Sequence, residues 1–177
     1  AVQQLNSRIE GTLRIATSAS RSTPIVQQYL PAFSMKYPSV HFEIYEGLMT
    51  NVVTQLINGS AELGIANIQM VDIDKFDILL TQEEHLYAIF RRDVFWTDRE
   101  HDTITWEDIK KCPLSLSGGS VRMIMQSSLT DMEQLNAVAI TTTKSSAIEW
   151  ASSGRTVSLV PMDAKELVNH RKMARIK

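Results

Sequence analysis

VHFEIYEGLMTNVVTQLINGSAELGI, residues 40–65, contains the change of period that decides the fold. Val40, Phe42 and Ile44 alternate with His41, Glu43 and Tyr45, the two-residue period of a strand. Val52, Val53, Leu56 and Ile57 then recur at helical spacing, Gly59 caps that helix, and LGIA (63–66) is a short buried strand. Upstream, TLRIATS (12–18) turns Leu13 and Ile15 inward against Thr12 and Arg14 before a hydroxyl-rich loop begins. Thr23 and Pro24 cap and open a helix carrying Ile25, Val26, Tyr29, Leu30, Phe33 and Tyr37, which Pro38 stops. The order β-α-β-α-β predicts an open, doubly wound parallel sheet with helices on both faces.

The flanks extend this unit. AVQQLNSRIE (1–10) spaces Val2, Leu5 and Ile9 like the end of a helix. FDILLTQEEHLYAIFRR (76–92) reads as two consecutive strands, and a second subdomain begins near residue 80. It continues through a loop (93–105), a short helix WEDIKKC and a strand PLSLS. SVRMIMQSSLTDMEQL follows as a helix opened by Ser117, Gly118, Gly119 and Ser120. AVAITTT is then a strand, SSAIEWASS a helix stopped by Gly154, and TVSLVP a buried strand. The division is 1–10, end of a helix; 11–80, first subdomain; and 81–171, second subdomain, with 172–177 available to complete the first.

Composition narrows the class. With 177 residues, 44% hydrophobic and 21% charged, the chain can bury a core and is far from a disordered composition. A formal net charge of −2 argues against a DNA-gripping face; Arg91 and Arg92 stand together, and the short basic tail from Asn169 to Lys177 reads as a solvated end. Cys112 is the sole cysteine, so no internal disulfide forms, and no apolar run is long enough to span a bilayer; cytoplasmic residence is expected.

Catalytic motifs are missing from the sequence: it holds no G-x-S-x-G, no G-x-G-x-x-G and no phosphate loop. His41, His85, His101 and His170 lack metal-ligand spacing, and Cys112 before Pro113 reads as a small buried hydrophobe. Glu83 and Glu84, neighbours in sequence, point apart on a strand and read as structural or hinge groups. The expectation is therefore a non-enzyme with no metal and no cofactor. What remains is a set of small polar residues where strands end and helices begin: Ser18, Ser20, Thr50, Asn67, Ser117, Gly118 and Gly119. Helix N-termini offer unsatisfied N–H groups and partial positive charge, which suits an anion such as a carboxylate or sulfate. Helix capping alone accounts for any one of these residues. Their common position at the carboxyl ends of one sheet, where open α/β folds collect ligands, is what suggests binding.

G-T-L-R-I-A at Gly11 to Ala16, L-P-A-F followed by Y-P-x-V at Leu30 to Val40, E-G at Glu46 and Gly47, and L-x-x-G-x-A-E-L-G-I at Leu56 to Ile65 stand in the order found in LysR-type transcriptional regulators. ITWEDIKKCPL and SSAIEWASSGRTVSLVP extend the likeness, so the chain resembles the effector-binding domain of that family over nearly its full length. Glu62 stands where the family usually has Asp, and Arg155 and Thr156 replace part of a glycine-containing stretch. The resemblance implies a fold like type 2 periplasmic-binding proteins, with two Rossmann-like subdomains joined by a two-strand hinge and a small effector in the cleft between them. It also implies a homodimer or homotetramer, DNA contact only through an N-terminal helix-turn-helix outside this sequence, and no membrane partner. By position, Ser18 and Ser20 match effector-holding hydroxyls, Asn67 a polar position after the third strand, and Ser117 the facing loop. A free-standing solute-binding protein of a transport system is the alternative on the same fold.

Overall fold

The chain divides into two compact units, Ala1–Thr81 and Gln82–Lys177. The computed structural model describes residues 9–19, 26, 29–96, 103–127, 130–162 and 173–176. Ser20, Thr23, Pro24, His101 and His170 lie outside them.

In the first unit β1 (Gly11–Ser18) is flanked by β2 (Val40–Gly47) and β3 (Leu63–Ile65) in a three-stranded sheet of order β2-β1-β3. Both pairings are parallel, running from Gly11↔Val40 to Ser18↔Gly47 and from Ile15↔Leu63 to Thr17↔Ile65. A parallel partner requires a crossover, which α1 (Leu30–Lys36) and α2 (Met49–Ile57) supply. Ile15, Ala16, Thr17 and Ser18 are all buried, since a central strand is covered on both faces. The core joins Ala16 and Val52 to Ala61, with Leu56 and Ala66 packed against them. Gly59, beyond the C-cap of α2, has φ +73°, a left-handed conformation that glycine adopts without strain. Glu62, at the position where the family usually has Asp, accepts the Arg14 backbone N–H at 2.8 Å and ties the strand that follows it to β1.

The run 76–84 departs from its reading as a strand: among the described residues it joins no ladder, and Leu79 and Leu80 are 79% and 84% exposed. Apolar periodicity specifies a face, but a strand also needs a neighbour to take its N–H and C=O groups.

The second unit holds a six-stranded sheet of order β5-β9-β4-β8-β6-β7. Its strands are β4 (His85–Ile89), β5 (Thr103–Ile104), β6 (Leu114–Ser117), β7 (Ala137–Thr141), β8 (Val157–Met162) and β9 (Met173–Ile176). The sheet is mixed: β8, β6 and β7 run parallel, while β4 runs antiparallel to both β8 and β9. Residues 173–176 therefore pair within this unit, between β4 and β5, where the sequence reading allotted 172–177 to the first; a four-residue strand carries no signal of its partner.

Helices α3 (Trp106–Ile109), α4 (Gly118–Gln126) and α5 (Lys144–Ser152) connect these strands. The helix expected to run on from α4 ends at Gln126, with Met132–Gln134 a separate 3-10 turn. One core face gathers Leu114, Leu116, Leu159 and Val157 with Ile109 and Ile124; the other sets Val160 and Met162 against Ala147 of α5. Burying each large aliphatic side chain here contributes about 1.5–3 kcal/mol. On the α5 face two hydroxyls line up toward a carbonyl: Thr156 Oγ1 donates to Ser115 Oγ at 3.0 Å, and Ser115 Oγ donates to the Ala147 carbonyl at 2.9 Å. Thr156, one of the two departures from the family's glycine stretch, thus has a packing role.

Candidate functional site

In the first unit the three parallel strands place Ser18, Thr50 and Asn67 at the same, carboxyl, end of the sheet. Ser18 ends β1 and is 6% exposed, and beyond it the Ala19 N–H is held by the Gly47 carbonyl at 3.0 Å. Thr50 is exposed in the first turn of α2, whose N-cap Leu48 gives no side-chain cap, so the first-turn N–H groups there are not taken by a capping side chain. The Asn67 carboxamide oxygen accepts the Gln69 N–H at 3.0 Å and caps a 3-10 turn, which gives that residue a structural task.

Two residues that sequence reasoning passed over stand beside them. The Asn51 amide donates to the Tyr45 hydroxyl at 3.2 Å, and the Tyr45 ring lies so close over Gly47 that a Cβ there would meet it at 2.7 Å. An aromatic two residues before a glycine at a strand end was the available signal.

In the second unit the carboxyl ends of β6, β7 and β8 share an edge, and antiparallel β4 brings His85 opposite Met162 at the same edge. Glu84, Ser117, Gly118, Gly119 and residues 141–144 all fall there. Ser117 is fully buried and is a cap: its Oγ accepts the Ser120 N–H at 3.2 Å, and the Ser120 Oγ accepts the Ser117 N–H at 3.2 Å. The hydroxyl that the sequence singled out is thus committed inward to the cap. Gly119 is backed by Pro161, which a Cβ would approach to 3.0 Å, whereas at Gly118 a Cβ would meet, among the described residues, only the Thr142 carbonyl oxygen at 4.0 Å. Gly118 is thus the open one of the two, at the first position of a nine-residue helix.

The second helix N-terminus at this edge is that of α5, capped by Thr143, whose Oγ1 accepts the Ser146 N–H at 3.2 Å. Its first residue, Lys144, is 7% exposed, and its ammonium lies 4.0 Å from the Glu84 carboxylate. A cation in a first helical turn faces the unfavourable end of the helix dipole, so nothing local in the sequence singles Lys144 out. Only the sheet order brings it to Glu84.

Elsewhere the chemistry is quiet. Among the described residues no group of His, Cys, Asp and Glu has the arrangement of a metal site. Cys112 is buried in the core, and burial raises its thiol pKa. Arg91 pairs with Asp93, which raises its pKa further. No helix among the described residues is long and apolar enough to cross a membrane.

This geometry defines an α/β binding module whose polar groups gather where parallel strands end and helices begin. The sequence pattern described as "LysR substrate binding domain" matches residues 6–176, so the chain belongs to that family. Regulators of the family are transcription factors rather than enzymes, bind small-molecule effectors and oligomerise. Among solved structures the chain is similar to HinK, a LysR family transcriptional regulator from Pseudomonas aeruginosa (16% identity, TM-score 0.72, covering 95% of this chain and 60% of that one). It is similar also to the effector-binding domain of QuiR in complex with shikimate (14%, TM-score 0.69, 96% and 82%). A sulfate-bound mutant regulatory domain of OxyR2 from Vibrio vulnificus is comparable (16%, TM-score 0.68, 94% and 80%). Identities this low speak to the fold. No curated protein sequence matches the chain.

Proposed function

We propose that this chain is the effector-sensing part of a transcriptional regulator and that it binds a small anion at the carboxyl ends of its strands. The observation that carries this is the second unit's strand-end edge, which holds two helix starts, at Gly118 and at Lys144, with the Gly118 Cβ position 4.0 Å from the Thr142 carbonyl oxygen and Lys144 nearly buried. Such groups stabilise a negative charge without catalytic machinery. Two neighbours support an anionic ligand, since QuiR was solved with shikimate and OxyR2 with sulfate. Within the first unit Thr50 and Ser18 stand at the carboxyl end of its own sheet, where Asn67 caps a turn, and in the second unit Ser117 caps the helix that Gly118 opens.

In this reading effector binding shifts a population of conformers that a homodimer or homotetramer passes on to a DNA-binding part. Isothermal titration against a panel of carboxylates and inorganic anions tests it. Gly118→Leu fits the fold, because Gly118 has no positive φ and, among the described residues, open space at Cβ, yet it fills the anion's position. The reading expects saturable binding to at least one anion, abolished by Gly118→Leu. Undiminished affinity in Gly118→Leu would place the ligand elsewhere.

A further inference from the structure

We draw no further inference here: the strongest candidate, the outer edge of β7 in the second unit's sheet, a strand that among the described residues bonds to β6 alone and leaves Val138 and Ile140 exposed, carries nothing because nothing in the structure shows what covers it.

Discussion

Ser120→Ala separates a capping role from a ligand-binding role at the start of α4. Ser120 is fully buried, and its Oγ accepts the Ser117 N–H at 3.2 Å, lies 2.7 Å from the Ser117 Oγ and donates to the Leu159 carbonyl on β8. Removing that oxygen leaves a buried N–H without its side-chain acceptor and loosens the tie between α4 and the central strand. One such group costs about 1–3 kcal/mol, so the variant should lose about 2 kcal/mol, or about 10 °C in Tm for a unit of this size. Trp96, Trp106 and Trp150 all lie in the second unit, so tryptophan fluorescence during urea unfolding reports on that unit alone. Ser117→Ala should cost a similar amount, and the double variant should cost less than the sum, because both remove one reciprocal cap. A loss below about 0.5 kcal/mol for Ser120→Ala would mean that the cap contributes little and that the Ser117 hydroxyl is available for another task.

Ile124→Ala should destabilise the second unit by about 2–5 kcal/mol in the same assay, since Ile124 is 1% exposed within the larger core. Ser158→Ala should be neutral or stabilising, because the buried Ser158 Oγ has no hydrogen-bond partner among the described residues; a loss above about 1 kcal/mol would reveal one. Gly154→Ala should cost about 1 kcal/mol or more, as φ is +79° and the new Cβ would come within 3.2 Å of Val94 and 3.3 Å of Arg91. The Cys112 thiol pKa is raised by burial, so its stabilising contribution is complete below the unfolded thiol's pKa and is lost as pH rises through the folded one. Unfolding free energy measured against pH above neutrality should therefore fall more steeply in the wild type than in Cys112→Ala; equal slopes would contradict the burial.

Period and punctuation made much of the fold legible. The alternation of Val40, Phe42 and Ile44 and the helical stripe of Val52 and Leu56 are local properties, and they set β2, α2 and the parallel first sheet. Partners are not local. The four residues of β9 gain their identity from β4 and β5, and the apolar run at Ile78–Leu80 has no ladder partner among the described residues despite its strand-like content. The site shows the same limit. Hydroxyls at strand ends could be seen in the sequence, yet whether each points inward is decided by neighbours: Ser120, three residues on, commits Ser117 to a cap without the usual Glu or Gln. Lys144 and Glu84, sixty residues apart, become one feature only through the antiparallel pairing of β4 with β8 and the parallel run of β6 and β7.

The most direct test of an anion site at the strand ends is an amide NMR titration of the uniformly labelled chain with the carboxylate that gives the largest calorimetric heat. The account expects saturable shifts at Gly118, Gly119 and Lys144, with Gly118→Leu abolishing them. Saturable shifts centred away from both strand-end edges, or none for any carboxylate, would contradict it.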